Sequence, residues 1–403
     1  MYLHRIPNST KVLVSMVIFL GGVGLLGKAY LEVSNSERAY IFFWSGLFLC
    51  FASVIAIGGN RESKPIQRVF GLILLGAALY IPIYLRSPHF PIFQDALFHV
   101  QSLELMRDLK TSQIPITFFP IAGDYPGLEY VGLATLYTSQ LSINPVVQLL
   151  SLALHIIMPI LAFYTYRTLG LEDATAFWAS LIYIANIGYF FFLSSFSYGT
   201  FGVVLFLFIA LLGFKKNLQE KDGAINSASL LLLAIPSIVI VHHTSSAMAA
   251  IYLTLLGITS IILKRQYSIF GVAIYSIVLW FVWLFYHPQS FSYLYGNMVP
   301  RAASILEFIL KEQTQTHQLF LNSPLPPIER IIAYMYPILL LLLCGLSLWN
   351  VLDRKRHLII QSKLFTEYIT LAIFGPVSWF MIGPLIISDN AEIVYRISPY
   401  FFL

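Results

Sequence analysis

Asp95 and His99 stand four residues apart in the stretch Phe93-Gln94-Asp95-Ala96-Leu97-Phe98-His99. On a helix that spacing puts both side chains on one face. A carboxylate held at a protein–lipid boundary, partly desolvated, can take a proton as a general base or ligate a divalent ion such as Mg or Mn, with His99 as a second ligand. The plain structural alternative is that Asp95 satisfies amides near a helix start and favours its dipole. Residues 94–110 fit an amphipathic helix, with Asp95, His99 and Ser102 on one face and Phe98, Leu105 and Leu109 to one side. Such a helix lies along a membrane interface.

Other residues are candidates for the same work. Gly123-Asp124-Tyr125-Pro126-Gly127-Leu128-Glu129 reads as a turn leading into a second short helix over 128–141. Asp124 and Glu129 either join Asp95 at a common rim or simply solvate the turn. His242-His243-Thr244-Ser245-Ser246 interrupts an apolar stretch, and polar residues at membrane depth usually mark a cavity or pathway. Adjacent histidines leave a helix on different faces, so both serve one ligand only if the helix breaks there; Pro236 makes a distortion plausible. A short extracytoplasmic turn is the alternative. Arg396, beyond Asp389, Glu392 and Tyr395, could grip a phosphate or carboxylate through paired hydrogen bonds, with Arg301 and Arg330 as competitors. The polar, aromatic stretch 194–199 suits sugar stacking and an interfacial aromatic belt equally well. Walker A, HExxH, CxxC and GxSxG motifs are absent.

The rest of the chain must position these groups. Of its 403 residues 58% are hydrophobic and 11% charged, against about a quarter charged in a soluble domain. The mean hydropathy is +0.77. Lipid is therefore the solvent for much of this surface. Cys50 and Cys344 both fall in apolar runs, which supports neither a disulfide framework nor a thiolate metal site. The net charge of +5 comes from basic residues clustered in short loops, without a nucleic-acid-binding motif. Apolar runs at about 12–32, 39–58, 68–86, 145–167, 173–192, 199–214, 227–241, 244–263, 268–286, 331–351 and 366–388 predict an all-α, polytopic chain of about eleven spans in one transmembrane domain, 1–403. The region 227–263 can also be read as two short, tilted helices meeting at a polar break. The end, Ile397 to Leu403, reads like the start of a twelfth helix cut short.

Loop charge predicts orientation. Arg61, Lys64 and Arg68; Lys215, Lys216 and Lys221; Lys264 and Arg265; and Arg354, Lys355, Arg356 and Lys363 all fall on one side, which the positive-inside rule makes cytoplasmic along with the N-terminus. The alternating connections, 87–144, 194–198, 242–245, 287–330 and 389–403, are then extracytoplasmic. The first of them holds Asp95, Glu104, Asp108, Asp124 and Glu129, five of the nineteen acidic residues.

An N-in polytopic chain with an acidic residue on an interfacial helix in a long outer loop, then a turn and a second helix, resembles the GT-C superfamily of glycosyltransferases. Asp95-Ala96-Leu97-Phe98-His99 is similar to the Asp-x-x-x-His of oligosaccharyltransferase-type members, and Asp124-Tyr125-Pro126-Gly127-Leu128 looks like the Tyr-Pro-Gly turn that follows in many archaeal and bacterial relatives. The likeness covers roughly residues 68–265. The next outer segment, 194–198, contains no acid, and the Trp-Trp-Asp motif is absent, which argues against oligosaccharyl transfer to asparagine. The resemblance implies a cell-membrane enzyme that moves a sugar from a polyprenyl-phosphate donor to a glycan or lipid-linked acceptor outside. Asp95 would be base or metal ligand; His99, Asp124, His242 or His243, and Arg396 would hold substrate. Two other functions remain open: a lipid-glycan transporter or flippase, and a non-catalytic subunit of a membrane complex.

Overall fold

The computed structural model describes residues 8–32, 36–88, 94–114, 122–185, 189, 193–217, 227–263, 267–292, 295–296 and 366–375, with isolated positions 342, 346 and 349. Every regular element among them is helical: α1 (Asn8–Leu31), α2 (Ser36–Gly58), α3 (Pro65–Arg86), α4 (Gln94–Leu109), a 3-10 turn (Ala122–Asp124), α5 (Gly127–Ser139), α6 (Ile143–Thr168), α7 (Asp173–Ile184), α8 (Tyr198–Asn217), α9 (Ser227–Val241), α10 (His243–Ile262) and α11 (Ser268–Tyr286). Seven of these, α1, α2, α3, α6, α8, α10 and α11, are long and apolar enough to cross a membrane. At about 1.5 Å per residue each covers the roughly 30 Å of hydrocarbon. Their outward faces match that solvent: Val17, Leu20, Trp44, Phe48 and Phe285 are all exposed, a surface that water would not tolerate over so many helices.

The difference from the eleven predicted spans has physical causes. The predicted span 173–192 begins with α7, which has only 12 residues, about 18 Å. The predicted span 227–241 is α9, of 15 residues. It meets α10 at a one-residue break, His242, the two-helix reading of that region. The predicted span 331–351 and most of 366–388 lie outside the described residues, as do nearly all of 287–330 and the end of the chain.

The chain divides into two compact units. The first comprises residues 1–211 and 240–242. In it α1 pairs with α2, α3 packs on α2 and α6, and α6 on α7. The α1–α2 contact is backbone-close: a Cβ on Gly46 would lie 2.7 Å from the Gly22 carbonyl oxygen, so small residues here serve helix packing. The second unit comprises residues 212–239 and 243–403. There α10 packs on α11, Tyr252 meets Phe214 and Phe374 edge-on, and the Thr259 and Thr370 hydroxyls bond at 2.8 Å.

One end of the first unit is clamped by Arg68. Counted from sequence as a loop charge, it is in fact buried in the first turn of α3. Its Nε donates to the Gly58 carbonyl at 3.0 Å and its Nη2 to those of Asn60 and Arg61 at 2.8 and 3.3 Å. Its Nη1 lies 3.7 Å from Asp173, which also binds Arg167 Nε at 2.5 Å. The α2–α3 and α6–α7 connections therefore share one end.

Candidate functional site

The opposite end is built from α4, α5 and the start of α6. The inward face of α4 repeats every three to four residues: Ala96, Val100 and Leu103 pack with Leu128 and Leu136 of α5, Ile143, Val146 and Val147 of α6, and Phe196. This apolar packing, rather than any strong amphipathic stripe, fixes α4. Leu109, expected beside the active face, is exposed instead.

Inside that packing lies an ion pair. His99 Nδ1 is 2.5 Å from Glu129 Oε1, with the side chains 2% and 0% exposed. With Glu129 ionised, Nδ1–H donates to it and Nε2 is left as the other reactive atom of the ring. Glu129 Oε2 is buried and has no hydrogen-bond partner among the described residues. A buried pair of this kind holds only while both members are present, since either alone is an uncompensated charge or polar group.

Three further contacts complete the surroundings. The Tyr198 ring meets His99 edge-on with centroids 4.9 Å apart, and Phe196 does so at 6.4 Å. Tyr198 also stands 4.7 Å from the His242 ring. Tyr198 is placed by its helix start: Ser197 Oγ accepts the Thr200 N–H at 3.2 Å, an N-cap for α8. His242 is placed by Gly127, where a Cβ would lie 2.5 Å from Val241 Cγ2 and 3.1 Å from the Ile240 carbonyl. Only glycine lets α5 start so close to 240–242.

The predicted residues fall as follows. Asp95 is half-buried in the first turn of α4, one turn before His99. Asp124 ends the 3-10 turn and is 9% exposed. His99 and His242 meet at Tyr198. His243 is buried and opens α10 in the second unit. Arg396, Arg301 and Arg330 lie outside the described residues. Neither rim nor solvated turn describes Glu129, which is fully buried against His99. One sequence signal points to that burial: Glu129 shares a helical face with Gly132 and Leu136, three and seven residues on, all buried. Tyr198 carries no distinguishing signal.

Among the described residues no group of three or more His, Cys, Asp or Glu side chains is arranged to hold a metal ion. The connection 194–198, expected as a surface loop, is instead largely buried: Ser194, Ser195, Phe196 and Tyr198 are all below a tenth exposed. No family model, curated protein or solved structure matches this chain.

Proposed function

We propose that the protein is a GT-C-like membrane glycosyltransferase working at the α4–α5 end. The observation that carries this reading is the buried His99–Glu129 pair one helical turn from the half-buried Asp95. Structural pairs also occur in cores, but this one leaves a carboxylate oxygen without a hydrogen-bond partner among the described residues, and its histidine lies one turn from a second carboxylate at the start of α4. Asp95 takes the proton of the acceptor hydroxyl as that oxygen bonds the anomeric carbon. The bond from that carbon to the phosphate oxygen breaks, and its electron pair leaves with the polyprenyl phosphate. Asp95 acts here as base. His99 Nε2 and His242 face the donor, with Asp124 and Arg396 as further contacts; Glu129 positions His99. The polyprenyl tail lies against the apolar helices.

In this reading the N-terminus and the Arg68 end are cytoplasmic, the α4–α5 end is outside, and the membrane is the cell membrane. The test is transfer of labelled sugar from a polyprenyl-phosphate donor to membrane lipid acceptors by the reconstituted protein. Asp95→Asn should lower it about 10²-fold or more; undiminished transfer sinks the role of Asp95. A second reading, a lipid-glycan flippase, is favoured by one observation, the polar side chain of His155 buried midway along α6. It predicts glycolipid movement in proteoliposomes without bond cleavage.

A further inference from the structure

His155 lies twelve residues from the start of α6 (155 − 143) and thirteen from its end (168 − 155). At about 1.5 Å per residue that is roughly 18–20 Å from either end, the middle of a helix that fits a bilayer. It is 0% exposed. An ionisable side chain at that depth is costly and marks a functional position by default.

Its surroundings are polar and uncharged. Nδ1 faces the Leu193 carbonyl at 3.4 Å, so Nδ1 carries the proton and, in the neutral ring, Nε2 is a bare acceptor. The Tyr189 ring stacks on the imidazole at 4.1 Å and 25°, and its hydroxyl donates to the His155 carbonyl at 2.7 Å. The Tyr80 ring stands 6.1 Å away; its hydroxyl bonds Gln148, whose amide donates to the Ser87 carbonyl at 3.4 Å. Nε2 itself is buried without a hydrogen-bond partner among the described residues. Leaving such an atom unsatisfied is costly.

The backbone at this level is also unusual. Residues 193–197 are non-helical, yet Leu193 reaches the midpoint of α6. Non-helical backbone at membrane depth persists only where protein buries it or a polar cavity receives it. From Leu193 the segment runs through Ser194, Ser195 and Ser197, whose hydroxyls link at 3.2 Å between Ser195 and Ser197 and 2.9 Å between Ser197 and Thr200. It ends at Tyr198, against His99. Uncharged polar groups thus lie along the segment that runs from the mid-span histidine to Tyr198.

We infer that His155 Nε2 is an intramembrane binding point for a neutral hydroxyl donor, held between α6, Tyr189 and the 193–197 segment. These uncharged groups offer no cation to hold a phosphate, and among the described residues no set of three metal-ligating side chains meets here; they suit an O–H group, from water or from a saccharide. This inference stands independently of the transferase reading.

The test is proton-detected solid-state NMR of the full chain in lipid bilayers, with ¹⁵N-histidine. The His155 signals are assigned by their disappearance in His155→Gln. Should that variant fail to fold, carbonyl-labelled His with ¹⁵N-Ile assigns the wild type, because His155-Ile156 is the only His-Ile pair in the chain. The expected result is an Nδ1–H tautomer with a hydrogen-bonded Nε2. Magnetisation transfer from water in plain bilayers identifies water as the donor. Transfer that appears only after octyl β-glucoside is added identifies a saccharide hydroxyl. An Nε2–H tautomer, or no hydroxyl contact under either condition, overturns the inference.

Discussion

The first unit carries a buried ion pair at each end, and the two are satisfied differently. Arg68 spends its guanidinium on the carbonyls of Gly58, Asn60 and Arg61 and on Asp173. These partners belong to the helix ends and connections it closes, so it reads as a structural clamp. Glu129 spends one oxygen on His99 and leaves the other buried without a partner among the described residues. Val147 and Arg167 are twenty residues apart on α6 (167 − 147), about 30 Å, so the two pairs sit at opposite ends of a helix long and apolar enough to cross a bilayer. The Arg68 end holds the fold through several partners; the Glu129 end, with one carboxylate oxygen unpaired among the described residues, is the end proposed to meet a ligand.

The sharpest way to break this contrast is to remove one partner at each end. Glu129→Ala should cost about 3–5 kcal/mol of stability by stranding His99 in an apolar core, read as a large drop in thermal midpoint in detergent. Arg68→Ala should cost a similar amount, since several loop carbonyls are then left without their donor. Transfer per folded molecule should survive Arg68→Ala, because the clamp touches no part of the site. If it fell as far as in Glu129→Ala, the division of labour between the ends would be wrong.

Smaller changes sharpen the geometry. Gly127→Ala forces a methyl into Val241 and should cost about 1–3 kcal/mol by overpacking, with the His242 ring pushed away from Tyr198. Ser197→Ala removes the cap of α8 and should cost about 1 kcal/mol. A thermal midpoint unchanged by Gly127→Ala would show that the start of α5 can move away from 240–242.

The helical class and the apolar exterior are legible in the sequence, because twenty-residue apolar runs have few alternatives. So is α4, predicted over 94–110 and found as Gln94–Leu109. The short helices are harder. Apolar composition does not fix where a helix stops: α7 ends at Ile184, inside the predicted span 173–192, with no change in hydrophobicity to mark the end. Glu129 is hidden for a related reason: a turn motif conceals which face the next helix buries until its partner, thirty residues back, is known. His155 leaves no mark on a long apolar run, since one histidine does not alter its average hydropathy. The site is therefore the part where sequence says least, because its contacts are between elements far apart in the chain.

The most direct measurement is the transfer rate per folded molecule of Glu129→Gln, which keeps the shape of the side chain and removes its charge. The account predicts a fall of about tenfold or more, in kcat rather than KM, with His99 still in place and the fold intact. A rate equal to wild type in a well-folded Glu129→Gln protein would contradict it, and the His99–Glu129 pair would then be a second clamp like Arg68.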